Sequence, residues 1–144
     1  MRILLLDDDA FMLELLADMI AGLGEHTVLR ETDGRRALIE LRLRPPQLVI
    51  CDLSMPVMDG IDFLRLAAAQ QYRGDVVLLS GVDRAVLKTA ARLAEAQGLA
   101  ILDACAKPMS IEALATVLQR AAARSALPAA AASPSAVLPD NLGK

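Results

Sequence analysis

The chain has 144 residues, which suffices for one domain with a hydrophobic core but not for a second catalytic domain beside it. A net charge of −3 without a basic run, together with only two phenylalanines and one tyrosine, argues against direct binding of nucleic acid. The longest uncharged stretch, Ser125 to Pro139, contains three prolines and predicts no membrane span. Only Ile3 to Leu6 precede the first acidic residues, too short a run for a secretory signal, so we expect a cytoplasmic protein.

Five short apolar runs alternate with longer amphipathic segments, the pattern of parallel strands joined by crossover helices. The runs are rich in Leu, Val and Ile, as buried parallel strands are. We predict strands at Arg2–Leu6, Thr27–Glu31, Gln47–Cys51, Asp75–Leu79 and Leu99–Asp103. We predict helices at about Ala10–Leu23, Gly34–Leu43, Asp59–Gln70, Asp83–Gln97 and Ser110–Arg124. The expected fold is α/β, with a doubly wound five-stranded parallel sheet.

The first predicted helix has an apolar face at helical spacing, and Gly24 follows its last residue as a stop. This face consists of Met12, Leu15, Leu16, Met19, Ile20 and Leu23. After the fifth helix the composition changes to Ala, Pro and Ser with almost no charge. We therefore predict one folded domain at residues 1–124 and a linker or disordered tail at residues 125–144.

Polar residues follow four of the five predicted strands. They are Asp7-Asp8-Asp9, Asp52, Ser80-Gly81 and Lys107-Pro108. A doubly wound sheet binds ligands outside the carboxyl ends of its strands, so these groups are expected to meet at one rim. They form the only convergent polar set in the sequence.

The acidic triplet has two interpretations. Acidic residues favour the positive end of a helix, and Asp9 suits that capping position. Asp7 and Asp8 are better explained as ligands of a hard dication such as Mg2+, which prefers oxygen donors and usually takes one or two carboxylates. The triplet alone favours neither interpretation.

Asp52 stands at the tip of the third strand, before a loop constrained by Pro56. A carboxylate in this position is a potential nucleophile toward phosphorus, and it needs relief from charge repulsion to act as one. A metal ion held by nearby acids supplies part of that relief, and Lys107 supplies the rest if it is not merely a solvated surface lysine. Ser80 offers a hydroxyl to a phosphoryl oxygen, although a Ser80-Gly81 turn is the simpler interpretation of that pair alone.

In combination, these motifs resemble the receiver domains of two-component response regulators, over roughly Met1 to Arg124. The motifs are Leu5-Leu6-Asp7-Asp8-Asp9, Asp52 with Met55-Pro56 and Met58-Asp59-Gly60, Ser80-Gly81 and Lys107-Pro108. The resemblance implies the flavodoxin-like receiver fold, with strand order 2-1-3-4-5. It also implies that Asp52 is the phosphorylation site, that Ser80 is the switch hydroxyl and that Lys107 is the clamp. The implied Mg2+ ligands are Asp7, Asp8, Asp52 and the backbone carbonyl of Ser54.

The resemblance also implies partners. A histidine kinase or a phosphotransfer protein would donate the phosphoryl group, and the domain would catalyse only its own phosphorylation and dephosphorylation. An output domain would respond in cis or in trans, without direct nucleic-acid or membrane binding by this chain. The segment after Ser80 is similar to that of receivers preceding EAL-type cyclic-di-GMP phosphodiesterase domains, and the Ala/Pro-rich tail fits a linker to such a domain. The sequence leaves open a homodimer through the fourth and fifth helices.

Two features depart from the family pattern, and two further positions bear on how long the phosphoryl group persists. Ala104 stands where the family usually has its switch aromatic residue. We therefore expect the conformational change to be transmitted from the site by movement of the backbone or of a helix. Ser80 and Lys107 are 27 positions apart, about five more than is typical, which predicts a longer fourth helix or entry loop. Ser54 and Val82 offer no acid or amide to orient a hydrolytic water, which predicts a comparatively long-lived phosphoryl group.

Two other functions compete with this interpretation. Aspartate-nucleophile phosphatases carry two acids two residues apart on the first strand, and Asp7 and Asp9 have that spacing. A phosphorylation-independent interaction module, which is a degenerate receiver, would fit the absence of an aromatic residue at Ala104.

Overall fold

The computed structural model describes residues 1–55, 60–81 and 83–126 of the chain. Its strands are β1 Arg2–Leu6, β2 Thr27–Glu31, β3 Leu48–Asp52, β4 Asp75–Ser80 and β5 Ala100–Ala106. Its helices are α1 Ala10–Leu23, α2 Gly34–Leu43, α3 Gly60–Ala69, α4 Arg84–Ala96 and α5 Ile111–Ser125. The strands form one parallel sheet in the order β2-β1-β3-β4-β5, which confirms the predicted fold and strand order.

The helices cover both faces of this sheet and divide the core into two layers. One layer packs α2, α3 and α4 against the sheet around the buried ring of Phe63. The other packs α1 and α5 against the opposite face. Every residue of β3 and β4 is buried, because helices lie on both sides of the central strands. Within the described ranges, no helix is both long and apolar enough to cross a membrane.

The predicted apolar face of α1 was rotated away from the true one. The buried residues of this helix are Leu13, Leu16, Ala17 and Ile20. Leu15 and Leu23, which the prediction placed on the apolar face, are 39% and 36% exposed. Leucines occupy much of the circumference of α1, so the apolar stripe is too wide for spacing alone to locate its centre.

Several other element boundaries differ from the prediction by one residue, and the end of β5 differs by three. β3 lies one residue later than expected, and β5 continues to Ala106 instead of ending at Asp103. Asp103 and the small residues after it do not look like a strand in isolation, and pairing with β4 overrides their weak propensity. The predicted start of α3 at Asp59 lies outside the described residues, and the helix is described from Gly60.

β5 contains a bulge that accounts for part of its extra length. Val76 pairs with Ile101 whereas Val77 pairs with Asp103, so Leu102 is inserted between two paired positions. The insertion resets which side chains face which layer. Ala104 consequently packs against the α2-α3-α4 layer and Cys105 against the α1-α5 layer. Between Ser80 and Lys107 lie α4, with 13 residues, and β5, with seven, including the bulge at Leu102.

A second buried polar cluster lies at the opposite edge of the sheet, where β3 and β4 begin. The hydroxyl of Tyr72 donates a hydrogen bond to the Pro46 carbonyl at 2.7 Å. Gly74 makes this contact possible, because a Cβ there would lie 2.1 Å from the Tyr72 hydroxyl oxygen. Beside it, the carboxylate of Asp75 is buried, with Oδ1 2.5 Å from Nε of Arg124 in an ion pair that lacks the alignment of a hydrogen bond.

Candidate functional site

Three carboxylates meet where β1 and β3 end. Leu6 pairs with Cys51 in the sheet, so the residues that follow them, Asp7 and Asp52, emerge side by side. Asp7, Asp8 and Asp52 each place a carboxylate oxygen within 4.8 Å of the other two. Asp7 and Asp52 are buried and Asp8 is exposed, so the cluster opens to solvent on one side.

Asp9 does not belong to this cluster. Its Oδ1 accepts a hydrogen bond from the Phe11 amide at 2.9 Å and caps α1, as predicted. The Asp9 amide in turn donates to Oδ1 of Asp7 at 2.9 Å. The start of α1 therefore fixes the orientation of the Asp7 carboxylate.

Lys107 brings a positive charge between the two buried carboxylates. Its Nζ lies 2.8 Å from Oδ2 of Asp7 and 3.3 Å from Oδ2 of Asp52. The lysine follows the last residue of β5, and the Lys107–Pro108 peptide bond is cis. Its side chain is only partly exposed, which excludes the alternative of a solvated surface lysine. Sequence reasoning paired Lys107 with the acceptor and missed its shorter contact with Asp7.

The loop after β3 fixes the orientation of the Asp52 side chain. The Ser54 amide donates to Oδ1 of Asp52 at 3.1 Å, and the Leu53 amide donates to the Leu79 carbonyl at 2.9 Å. α3 begins directly against this loop, because a Cβ at Gly60 would lie 2.5 Å from both the Asp52 carbonyl oxygen and Leu53 Cα. Only glycine allows this approach, a role that the sequence motif contained but the sequence interpretation did not assign. Pro56 through Asp59 lie outside the described residues.

Ser80 is the last residue of β4 and is fully buried. Its carbonyl accepts a hydrogen bond from the Lys107 amide at 2.9 Å, so one backbone bond connects the ends of β4 and β5. A Cβ added at Gly81 would meet no atom within 4 Å, which leaves the space beside Ser80 open. The structure therefore brings the four predicted polar groups to a single rim.

The electrostatic environment of Asp52 favours the arrival of a cation. Burial raises the pKa of Asp52, and the neighbouring Asp7 adds to this effect, while the Ser54 amide and Lys107 oppose it. For Lys107, burial alone would lower the pKa, but hydrogen bonding to Asp7 and the charges of both carboxylates outweigh it and raise the pKa. Three acids and one lysine leave the rim with excess negative charge that a dication would neutralise.

The donor set fits Mg2+. Carboxylate oxygens are the ligands that this ion prefers, and one side of the cluster remains open for water and a phosphoryl oxygen. The expected carbonyl ligand, Ser54, lies in the loop that contacts Asp52. Ala104 is partly buried against the α2-α3-α4 layer, and its methyl group offers no ring to follow a movement of Ser80.

The profile of the family described as "Response regulator receiver domain" matches residues 3–119 of the chain. Among curated proteins, cyclic di-GMP phosphodiesterase RocR of Pseudomonas aeruginosa is 30% identical over 125 residues, which are 86% of this chain and 32% of RocR. Probable chemotaxis protein CheY of Rhizobium etli is 30% identical over 121 residues, which are 82% of this chain and 89% of that protein. The chain thus spans about a third of one relative and most of the other.

Solved structures give the same comparison in three dimensions. A response regulator from Colwellia psychrerythraea superposes with a TM-score of 0.74 at 30% identity, covering 85% of this chain and 97% of that one. The signal receiver domain of an HD domain-containing protein from Pseudomonas fluorescens Pf-5 superposes with a TM-score of 0.73 at 27% identity, covering 85% and 94%. Both neighbours are similar in sequence as well as in fold.

Proposed function

Since the chain belongs to the response regulator receiver domain family of two-component systems, we propose that it is a phosphorylation switch with Asp52 as the acceptor. The observation that carries this proposal is the position of Asp52, buried beside Asp7 and Lys107 and open to solvent on the side of Asp8. An inert structural carboxylate would have its charge balanced, whereas this one lies in an excess of negative charge.

The transfer itself is a displacement at phosphorus. A carboxylate oxygen of Asp52 attacks the phosphorus of a phosphohistidine on a histidine kinase or phosphotransfer protein, forming a P–O bond while the P–N bond breaks. The electron pair of the broken bond stays on the histidine nitrogen, and the ring leaves as neutral imidazole if its other nitrogen carries a proton. Lys107 neutralises charge on the phosphoryl oxygens, and the Ser80 hydroxyl donates a hydrogen bond to one of them.

Asp7, Asp8, Asp52 and the Ser54 carbonyl are the proposed ligands of Mg2+. The ion, when bound, withdraws charge from the phosphoryl oxygens and so reduces their repulsion from the acceptor. Asp9 is not part of this set, because it is occupied in capping α1. This occupation also weighs against the aspartate-phosphatase alternative, in which Asp9 would have to act as the second acid.

The output is a separate part of the proposal. We propose residues 1–124 as the receiver domain and residues 125–144 as a linker or disordered tail, with an output domain that responds in cis or in trans. The likeness to RocR, which is named a cyclic di-GMP phosphodiesterase, supports an output domain of that kind. The receiver itself catalyses only its own phosphorylation and dephosphorylation, and the absence of an acid or amide at Ser54 and Val82 supports a long-lived phosphoryl group.

Intact-mass spectrometry after incubation with acetyl phosphate and Mg2+ tests the acceptor. We expect one added phosphoryl group on the wild-type chain and none on Asp52→Asn, whereas Asp9→Asn, a matched acid outside the cluster, should still be modified. Modification of Asp52→Asn would assign the acceptor elsewhere. No modification of any chain, with Mg2+ binding absent as well, would favour the phosphorylation-independent interaction module.

A further inference from the structure

An open cavity lies at the end of the sheet where β3 and β4 begin, opposite the acceptor rim. It has a volume of about 700 Å3, within the range of cavities that hold small-molecule ligands. Its walls come from the last turn of α2, the segments that lead into β3 and β4, and the last turn of α5. The residues that line it include Arg42, Pro45, Gln71, Arg73 and Arg124.

The cavity has an excess of positive charge. Of its described lining residues, three are arginines and one is an acid. The acid, Asp75, is buried and is the ion-pair partner of Arg124, so these two charges offset each other. Arg42 and Arg73 are exposed, and neither forms an ion pair with a residue in the described parts of the chain. Two guanidinium groups therefore face the cavity without a counter-charge.

A simpler role for such arginines is to offset the negative carboxyl ends of nearby helices. The end of α3 does not require this, because its last carbonyls have backbone donors. The Tyr72 amide donates to the Ala67 carbonyl at 3.1 Å, and the Gln71 amide donates to the Ala68 carbonyl at 2.9 Å. This pair of hydrogen bonds is the Schellman arrangement of a helix end. Arg73 is therefore not needed to satisfy α3.

Gln71 supplies an independent observation. Its φ is 60°, in the left-handed region that favours glycine at this position after a helix. A glutamine costs stability there relative to glycine, so the fold alone does not explain its presence. The residue is exposed and lines the cavity. A side-chain amide that can donate two hydrogen bonds thus lies at the same cavity as the two uncompensated arginines.

From these observations we propose that the cavity binds a small molecule that carries phosphate groups. Arg42 and Arg73 pair with the phosphate oxygens, since the planar guanidinium group matches them in geometry and charge. Two such groups at one cavity favour a multiply charged anion over a single carboxylate. The Gln71 amide donates to a further oxygen, and Pro45, which is exposed, contacts an uncharged part of the molecule. The site lies away from Asp52, so this proposal does not depend on phosphorylation.

Isothermal titration calorimetry of the full chain with inorganic pyrophosphate tests the site. EDTA is present throughout, so that no divalent ion at the acceptor rim contributes to binding. We expect one class of sites that weakens as the salt concentration rises, because exposed charges are screened by salt. In 15N-labelled protein, the amide shifts should change along residues 71–75 and stay constant at Asp7 and Asp52.

Arginine variants separate a built site from a general effect of positive charge. Arg42→Gln and Arg73→Gln should each weaken pyrophosphate binding by about tenfold, the loss expected for one charge-assisted hydrogen-bonding group. Arg35→Gln is the matched control, because Arg35 is exposed on the same helix as Arg42 but lies in its first turn. This control should bind pyrophosphate as the wild type does.

Gln71→Gly gives the most specific outcome. The glycine relieves the left-handed backbone, so the melting temperature should rise. Loss of the side-chain amide should at the same time weaken pyrophosphate binding by about threefold or more. A residue with a purely structural role would not combine greater stability with weaker binding, and unchanged affinity in Gln71→Gly would remove this residue from the site.

Other outcomes would overturn the proposal as a whole. If the wild type does not bind pyrophosphate, the arginines serve only the helix ends. If Arg35→Gln weakens binding as much as Arg73→Gln does, the anion responds to overall charge and not to this cavity. Amide shifts at Asp7 and Asp52 would place the anion at the acceptor rim. Phosphorylation of Asp52 is measured separately by intact mass, so the failure of one proposal does not decide the other.

Discussion

The amino ends and the carboxyl ends of the strands, here called the amino edge and the carboxyl edge of the sheet, each bury an aspartate beside a basic side chain. The two edges differ in how the charge is balanced. At the amino edge, Asp75 has Arg124 as its ion-pair partner. At the carboxyl edge, Asp52 shares Lys107 with Asp7, and Lys107 is nearer to Asp7. Burial is the largest cause of a raised pKa in both aspartates. The comparison teaches that burial of an acid does not by itself identify the proposed phosphorylation site, whereas the unbalanced charge around Asp52 supports it.

The largest effect should come from a methyl group added at Gly60, where α3 contacts the loop after β3. Gly60→Ala places a methyl group against the backbone of Asp52 and Leu53, which cannot move aside as a side chain can. We expect a loss of about 3 kcal/mol in the free energy of unfolding, at the upper end for overpacking, together with reduced phosphorylation of the folded fraction. Urea denaturation followed by circular dichroism measures the first, and intact mass the second. Unchanged stability would mean that α3 begins further from the acceptor loop.

A smaller loss of stability, without loss of phosphorylation, is expected at the amino edge. Tyr72→Phe removes the hydroxyl that donates to the Pro46 carbonyl and leaves a buried acceptor without its donor. The cost should be about 2 kcal/mol in urea denaturation. The phosphoryl yield per folded molecule should equal that of the wild type, and a clear drop in yield would show that the two edges are coupled.

Mg2+ should stabilise the folded protein by binding at the carboxyl edge. At ten times its dissociation constant, the ion should add about 1.4 kcal/mol to the free energy of unfolding. Asp8→Ala should remove this gain at little cost in stability, because Asp8 is exposed. Thermal denaturation with and without Mg2+ measures the gain. Asp33→Ala is not a suitable control, because Asp33 caps α2. Glu14→Ala, an exposed acid on α1, is the suitable control. A gain that persists in Asp8→Ala would move the metal site elsewhere.

The smallest expected effect is on pH dependence in the absence of divalent ions. A raised pKa means that the folded state holds a proton more tightly than the unfolded state does. The stability contribution of Asp52 and Asp75 should therefore fall as pH rises from the unfolded pKa through the raised folded pKa. Asp52→Asn and Asp75→Asn should each flatten part of this slope in urea denaturations with EDTA. A slope that neither variant changes would assign it to other groups.

The sequence predicted most of the fold because its local patterns and its topology agree. The bounds of β1 and α1 match the prediction, since Asp9 caps the helix and Gly24 follows its end. The predicted core face of α1 and the predicted end of β5 at Asp103 were wrong, because both features depend on which residues pack or pair from elsewhere in the chain. Local patterns do not contain that information.

The sequence predicted which residues belong to the candidate site, but it did not predict which of their side chains contact one another. Motif spacing assembled Asp7, Asp52, Ser80 and Lys107, and the structure brings them to one rim. The shorter contact between Lys107 and Asp7 depends on registers accumulated across β1, β3, β4 and β5, including the bulge at Leu102. Spacing along the chain does not determine those registers.

The position of Tyr72 has a spectroscopic consequence. It is the single tyrosine of a chain without tryptophan, so it dominates the near-ultraviolet emission of the protein. Its ring is buried at the amino edge, opposite the acceptor. Emission therefore monitors the edge where no chemistry is proposed, and a change in it upon phosphorylation would directly measure how far the altered conformation extends along the strands.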